Sequence, residues 1–366
     1  MNNQNLYVDI NVLQSVPSSN INRDDTGSPK TAVYGGVTRS RVSSQSWKRA
    51  VRMAFENQMA ENGTDWLKGI RTTRGPEMLA KEVQKQKADL ADGEALQMAL
   101  TIFNKAKVKL DKKTSRTKAL LMISHGQVEK LAKYVLENDE IDSKAIKKIL
   151  NSERSLDMAL FGRMVADDPS LNVDASCQVA HAISTHEIVP EFDYYTAVDD
   201  AKEDDESGSA MLGTIEYDSA TLYRYANVNV CELAHNLGDK TATLEGLKLF
   251  IKDFVMSMPT GKQNTFANKT VPQYVMVTIR ADTPVNLVTA FEQPVKSQQG
   301  YVESSIKRLE KEYEQTQKFV EKPIATFALT NFEKSLIANQ EDNITSLIDD
   351  VVKVIETRVS DENSND

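Results

Sequence analysis

The chain has 366 residues, 40% of them hydrophobic and 27% charged, with a formal net charge of −9 at pH 7, as expected for a soluble globular protein of two ordinary domains, or of one domain with a sizeable insertion. Its 15 Gly and 10 Pro make about 7% of the chain against roughly 12% in average usage, which excludes collagen-like, mucin-like and Pro-rich classes and points to long helices. No apolar run approaches the roughly 18 residues of a membrane span, the start Met1-Asn2-Asn3-Gln4-Asn5 lacks the basic and apolar regions of a signal peptide, and Cys177 and Cys231 are too few for a disulfide framework or a zinc site, so the expected location is the cytoplasm.

Leu6-Tyr7-Val8-Asp9-Ile10-Asn11-Val12 alternates apolar and polar residues and predicts a half-buried strand. Ser15 to Thr38 reads as a long polar loop, with Pro17, Pro29 and Gly35-Gly36 as turn signals. Ser43-Ser44-Gln45-Ser46 supplies capping residues for a helix beginning near Trp47, whose apolar positions Trp47, Ala50, Val51, Ala54 and Phe55 fall at helical spacing. Six cations and no acid lie between Lys30 and Phe55. From about 57 to 160 the pattern is mostly helical, as in Val128, Leu131, Ala132, Val135 and Leu136, and suggests an inserted helical subdomain. Within it, Lys105 to Lys118 holds seven cations against Asp111 alone.

Strand character returns at Val179–Ile183, and Asp199 to Glu206, with six acids and one Lys, reads as a projecting loop tip. Leu222 to Val230 alternates again, a helix carries Leu247, Phe250, Ile251, Phe254 and Val255, and Tyr274–Ile279 forms a further strand. The C-terminal third reads as helical over Val302–Phe319 and Thr345–Val359, with eight acids between Glu341 and Asp366. Without the helical insertion and the acidic loop, the order is strand, helix, strand, strand, helix, strand. That is the split βαβ order of ferredoxin-like and RNA-recognition folds.

Catalytic signatures are missing: there is no Gly-x-Gly-x-x-Gly or Gly-x-Ser-x-Gly, and Gly261-Lys262 lacks the rest of a phosphate-binding loop. His181 and His186, five apart, would face opposite sides of a strand and share no metal. The segment Ser43 to Arg52 suits a nucleic-acid backbone, because a helix N-terminus offers free N–H groups and positive dipole to a phosphate. Lys48 and Arg52 share one face there, beside Arg49. A plain amphipathic helix with a basic outer face has the same pattern. Asp24-Asp25 could hold Mg²⁺ for phosphodiester cleavage, although adjacent carboxylates more often serve a turn or an ion pair.

Seven blocks appear in order: Asn20-Ile21-Asn22-Arg23-Asp24-Asp25, Tyr34-Gly35-Gly36, Arg41-Val42-Ser43-Ser44-Gln45-Ser46-Trp47-Lys48-Arg49-Ala50, Phe161-Gly162-Arg163-Met164, His181-Ala182-Ile183-Ser184-Thr185-His186, Thr196-Ala197-Val198-Asp199-Asp200 and Tyr223-Arg224-Tyr225-Ala226-Asn227. Together they resemble the repeated backbone subunit of the type I-E CRISPR Cascade complex, over residues 1–55 and about 155–300. The segments 57–155 and beyond Ile306 match in character only. The resemblance implies an α/β (α+β) fold: an RNA-recognition-motif or ferredoxin-like palm (1–56, 178–190 and 223–300), helical fingers (57–177), a thumb hairpin (191–222) and C-terminal helices (301–366).

It also implies a non-enzymatic, cofactor-free and metal-free protein. Several copies would stack head to tail along a CRISPR RNA, bind other Cascade subunits and present guide bases to target DNA. Carried over by position, the RNA grip falls on Arg23, Lys30, Ser43, Gln45, Lys48, Arg49, Arg52, Lys262, Gln263, Asn264 and Lys296. The base-displacing wedge falls on Met164, Tyr195, Thr196 and Leu212, and target-DNA contact on Lys144, Lys147 and Lys148. Two rivals stand beside this reading: a metal-dependent ribonuclease of the type III kind using Asp24 or Asp25, and a free-standing single-stranded RNA-binding protein.

Overall fold

The computed structural model describes residues 5–197, 211–332, 335–337 and 339–359. They fall into two compact units: Met1–Val51, Val179–Asn227 and Phe250–Val354 form the first, and Arg52–Gln178, Val228–Leu249 and Ile355–Asp366 the second.

Strand β1 runs from Tyr7 to Ser19, longer than the sequence suggests. Its alternation is kept, but both faces are buried: Val8, Ile10 and Val12 on one, Asp9 and Asn11 on the other. The polar face tolerates burial because each group finds a partner. Asp9 accepts hydrogen bonds from Arg280 Nε (3.1 Å), the Tyr225 hydroxyl (2.7 Å) and the Val285 N–H (3.0 Å). Asn11 Oδ1 accepts one from the Tyr223 hydroxyl (2.8 Å).

The expected loop 15–38 is a loop over residues 20–30 only, since β1 extends to Ser19 and a β-hairpin follows Lys30. Strands β2 (Thr31–Tyr34) and β3 (Val37–Val42) pair antiparallel across Gly35-Gly36. Both glycines have positive φ, +61° and +79°, the requirement of a two-residue type I′ turn. A Cβ on Gly35 would stand 1.6 Å from the Glu292 carbonyl oxygen. β2 is only four residues long and nowhere fully buried, and β3 buries the polar Arg39 and Ser40, so the pair lacks the alternation of a half-buried strand.

Helix α1 (Ser44–Asn62) leads to the second unit, where β4 (Ile70–Thr72), α2 (Gly75–Gln86), α3 (Asp92–Lys105), β5 (Leu121–Ile123), α4 (His125–Glu137), α5 (Ser143–Leu150) and α6 (Leu156–Phe161) follow. The region is mainly helical as expected, with an added antiparallel β4–β5 pair. Val128, Leu131, Ala132 and Val135 point into its core beside Leu79 and Phe103. A capping box of Ser124 and Gln127 starts α4.

Next come β6 (Cys177–Val179), β7 (Ala182–Ser184), β8 (Glu191–Ala197), β9 (Met211–Asn229), α7 (Val230–Leu237), α8 (Lys240–Met256), α9 (Gln263–Phe266), β10 (Tyr274–Arg280), α10 (Val302–Thr316), β11 (Ala325–Thr330), β12 (Asn339–Gln340) and α11 (Ile344–Glu356). The C-terminal third is therefore not all helix. β11 pairs antiparallel with β10, a partner about fifty residues back that no local pattern reveals.

The main sheet has the order β12-β11-β10-β1-β9-β7-β3-β2. Its central four, β10-β1-β9-β7, are fourth, first, third and second in chain order, the ferredoxin-like arrangement the sequence led us to expect. One face of this sheet holds Tyr223, Tyr225 and Tyr274 beneath α10 and a 3-10 turn at Leu287–Phe291. RNA-recognition domains stack bases on such a face; here Tyr223 and Tyr225 are only 2% and 5% exposed. On the other face Trp47 packs with Val16, Val42, Leu222 and Met258.

Candidate nucleic-acid interface

In the first unit, the loop 20–30 is assembled by its own polar groups. Asn20 Nδ2 donates to the carbonyls of Gly27 (3.0 Å) and Glu216 (2.8 Å), tying the loop to β9. Asn22 Oδ1 accepts from the Ser43 N–H (2.8 Å), and its carbonyl from the Lys30 N–H (2.8 Å). Asp24 Oδ1 accepts from the Thr26 hydroxyl (2.7 Å), the Thr26 N–H (2.9 Å) and the Ser28 N–H (3.0 Å). These bonds, the Thr26 hydroxyl first, hold its carboxyl below the usual range. Asp24 thus maintains a turn, while Arg23 and Asp25 are exposed. Among the described residues no group of three or more His, Cys, Asp or Glu stands together as metal ligands.

Gly261 presses against this loop so closely that a Cβ would lie 2.3 Å from the Ile21 carbonyl oxygen. The next residue, Lys262, has φ +50° and comes to the same cleft as Arg23. That cleft has a volume of about 460 Å³ and is lined by Arg23, Thr26, Ser28, Lys262, Phe192 and Tyr195 among others. Gln263 is half-buried and Asn264 exposed in the short α9 that follows.

The aromatic wall comes from the β8–β9 hairpin. Tyr195 pairs across the strands with Gly213, and its ring occupies the space a side chain there would need, 2.4 Å from an added Cβ. The register puts Phe192, Tyr194, Thr196 and Leu212 on one face and Tyr195 with Met211 on the other. The wedge residues implied by sequence therefore divide: Thr196 and Leu212 are a cross-strand pair, and Tyr195 faces away from them. Phe192, Tyr194 and Leu212 are 68%, 64% and 58% exposed.

At the start of α1, the Ser43 carbonyl accepts from the Ser46 N–H (3.0 Å) and the Trp47 N–H (3.3 Å). The buried Arg224 guanidinium lies 3.9 Å over the Trp47 ring and donates to Gln14 Oε1 (2.6 Å) and the Phe254 carbonyl, so the helix start is firmly held. Gln45 and Arg49 are exposed; Lys48 and Lys30 are half-buried. Arg41, which the sequence reading left out of the site, donates Nε to the Thr31 carbonyl (2.8 Å) and lies 3.2 Å from His181 Nδ1. Burial first, then Arg41 and Lys30, push the His181 pKa down, leaving the ring neutral within a cationic edge. Arg41 could have been found from its place at the head of the longest motif. Lys296 is exposed just beyond Val295, whose N–H donates to the Thr185 carbonyl (2.9 Å).

In the second unit, Arg52 is already engaged. Its Nε donates to Asp157 Oδ2 (2.6 Å) and its Nη2 to the Gly69 carbonyl (3.2 Å). Asp157 is fully buried and also accepts from the Gly69 N–H (2.8 Å) and the Ser155 hydroxyl (2.7 Å). Beside this pair lies a second cleft, about 420 Å³, lined by Arg52, Glu56, Lys68, Arg71 and His125 among others. Lys68 pairs with Glu56 at 2.6 Å. This cationic cleft was not legible in sequence, because its residues come from three separate elements.

Met164 is presented by a rigid support. Gly162 ends α6 at φ +77°, and the buried Arg163 donates to the carbonyls of Leu171 (2.8 Å) and Leu150 (2.9 Å). Met164 itself is 82% exposed. Lys144 and Lys148 are exposed on α5, whereas Lys147 pairs with Asp168 at 2.5 Å. The Lys147 and Ser170 side chains hold the Asp168 carboxyl down at about 2.

Fold and surface together define an α/β protein with a ferredoxin-like sheet, a projecting two-stranded hairpin and cationic clefts in both of its units. The chain belongs to the CT1975-like protein family, whose profile matches residues 8–354. It is similar in structure to a chain of a "CRISPR RNA-guided surveillance complex, pre-nicking", with a TM-score of 0.84 and 32% identity over 95% of this chain and 99% of that one. A chain of another "CRISPR RNA-guided surveillance complex" matches with a TM-score of 0.66 and 28% identity over the same shares. No curated protein sequence matches significantly. Among the described residues, no helix is long and apolar enough to cross a membrane.

Proposed function

We propose that this chain is the RNA-binding backbone subunit of a CRISPR Cascade complex of type I-E, acting in the cytoplasm as an assembly protein rather than an enzyme. Several copies stack head to tail on the guide, together with other Cascade subunits, and the guide bases between contacts pair with target DNA. The observation that carries this reading is the cleft where Arg23 and Lys262 meet Tyr195 and Phe192. Cations neutralise phosphates and aromatic rings stack on bases, the pairing that single-stranded nucleic acid requires. The structural similarity to chains of RNA-guided surveillance complexes supports the same ligand. Lys30, Arg41, Ser43, Gln45, Lys48 and Arg49 extend the grip along the first unit, with Gln263, Asn264 and Lys296. Lys68, Arg71 and His125 offer a further phosphate site in the second unit, and Lys144 and Lys148 face target DNA. The β8–β9 hairpin is the thumb, displacing guide bases at intervals with Met164, Tyr195, Thr196 and Leu212.

Purification without nuclease should yield RNA of uniform length with partner proteins. Arg23→Glu combined with Lys262→Glu should fold normally and lose that RNA. Two lost phosphate contacts should lower the slope of log K against log salt by about 1.4, at roughly 0.7 per contact on a single strand. Undiminished RNA retention by the double variant, at every salt concentration, would remove the cleft from the grip.

A further inference from the structure

His181 opens a motif that stands out in the sequence, His181-Ala182-Ile183-Ser184-Thr185-His186, yet the proposed grip leaves it unused. The register of the sheet gives it two particular neighbours. β3 pairs antiparallel with β7 and places Arg41 opposite Ile183, so His181, two residues before Ile183, falls on the same face as both. β3 also pairs with β2, Thr31 opposite Ser40. The Arg41 N–H donates to the Lys30 carbonyl (2.8 Å) and carries that ladder one residue further. Lys30, Arg41 and His181 thus lie side by side on three neighbouring segments of the first unit.

Arg41 is held in place without a carboxylate. Its Nε donates to the Thr31 carbonyl (2.8 Å), and its Nη1 lies 3.2 Å from His181 Nδ1. A guanidinium has no acceptor to offer, so Nδ1 accepts and the ring proton sits on Nε2. Among the described residues neither Lys30 nor Arg41 forms an ion pair. His181 is exposed, and Lys30 and Arg41 are half-buried. Apart from burial, the groups that act on the ring are Arg41 on β3 and Lys30 before β2, and all three effects hold it neutral. On its other side Ala180 donates to the Tyr225 carbonyl of β9 (2.9 Å). That strand offers the ring no charge: Arg224 is turned over Trp47, and the Tyr225 hydroxyl is engaged with Asp9. Three basic side chains with no anion among them have the chemistry of a phosphate seat.

We propose that Lys30, Arg41 and His181 together seat one phosphate of the guide RNA, and that the imidazole takes up a proton as the phosphate arrives. The inference rests on the RNA-binding reading above. In the free protein Nδ1 accepts from Arg41. The phosphate replaces it as the acceptor, and Arg41 turns its Nη1 to a phosphate oxygen. The vacated Nδ1 then takes a proton from the buffer, and the ring gains one positive charge beside the negative charge of the phosphate. A nearby anion favours the imidazolium, so the bound ring keeps its proton at higher pH than the free one. A group that holds its proton more tightly in the complex makes binding stronger as pH falls. Histidine is the side chain for which this change lies near neutral pH.

The test is the pH profile of binding between the full-length, RNA-free protein and a single-stranded RNA oligonucleotide. Wild-type affinity should rise about tenfold between about pH 7.5 and 5.5, within the limit of about tenfold per pH unit set by the uptake of one proton. The slope of log K against log salt should steepen by about 0.7 over the same range, as expected for one more cation on the strand. The ring resonances of His181, followed by NMR, should titrate at higher pH with RNA than without it. His181→Gln should abolish the rise. His181→Lys should give a flat profile near the low-pH affinity of wild type, a result that a merely structural ring would not produce. A rise that persists in His181→Gln, or a His181→Lys variant that binds no more tightly than His181→Gln at neutral pH, overturns the proposal and leaves the RNA-binding reading intact. A rise seen with duplex DNA and not with RNA also overturns it. Failure of the wild-type protein to bind RNA at any pH overturns the RNA-binding reading itself.

Discussion

Six cations between Lys30 and Phe55 look alike in sequence and do three different things in the structure. Arg39 is fully buried, donating to the carbonyls of Ser184 (3.0 Å), Phe291 (2.8 Å) and Tyr34 (3.1 Å). It is a strut between β3, β7 and the 3-10 turn. Arg52 pairs with the buried Asp157, while Lys30, Arg41, Lys48 and Arg49 reach the surface. The distinction has a measurable consequence. Arg52→Glu should cost about 3 kcal/mol of stability, because it leaves a buried carboxylate facing another acid. Arg49→Glu, on an exposed position, should change stability by no more than about 0.5 kcal/mol while lowering RNA retention. Equal denaturation midpoints for the two variants would contradict the role given to Arg52.

At the scale of elements, the β8–β9 hairpin is unusual in what it leaves uncovered. All seven residues of β8 are exposed, although Phe192, Tyr194 and Tyr195 would each gain from burial. A two-stranded ribbon is marginal by itself in water. This one continues directly into the buried half of β9, which anchors it in the sheet. Replacing residues 197–211 with a short Gly-Ser link should therefore preserve the fold of the first unit and weak RNA binding. It should abolish regular stacking of copies and the periodic displacement of guide bases, read by chemical probing of the guide with target bound. Regularly spaced displaced bases in the shortened protein would rule out the hairpin as the wedge.

Over the whole molecule, buried acids and a buried histidine set opposing pH dependences. Burial pushes Asp9 up to about 6 against the pull of Tyr225, Val285 and Arg280. Burial likewise pushes Asp218 up to about 6, and its Oδ2 finds no hydrogen-bond donor among the described residues. A raised carboxyl pKa means that the folded state holds the proton more tightly than the unfolded one. The stability it confers is complete below the ordinary 3.8 and is lost as pH rises through about 6. His186 has the opposite sign. It stacks on Tyr301, with Nε2 accepting from the Thr221 N–H (3.1 Å) and Nδ1 2.7 Å from the Glu187 carbonyl, so Nδ1 carries the proton. Burial lowers its pKa, and its contribution is lost as pH falls below the ordinary 6.5. Asp218→Asn removes one acid from this balance. Its stability relative to wild type should increase by about 2 kcal/mol between roughly pH 4.5 and 7.5, at about 1.4 kcal/mol per unit of pKa shift. A difference that stays constant with pH would show that Asp218 does not titrate in this range.

The sequence alone determined the ferredoxin-like order of elements, because hydrophobic periodicity and turn residues are local signals that survive without tertiary context. The family resemblance also marked the loop 20–25, the start of α1 and the segment around Met164, and of these only the first two carry polar groups that point to a site by themselves. Only the tertiary structure decided which of those residues are available. Asp24 serves its turn, Arg52 and Lys147 have carboxylate partners, and Tyr223 and Tyr225 lie beneath α10 instead of offering a stacking surface. Strand β11 was also decided there, since its partner β10 lies about fifty residues back, and the β2–β3 hairpin joins the main sheet only through the pairing of β3 with the distant β7. So was the cleft of Arg52, Lys68, Arg71 and His125. Local pattern fixes what a residue is able to do, but burial and pairing are properties of what the fold brings beside it.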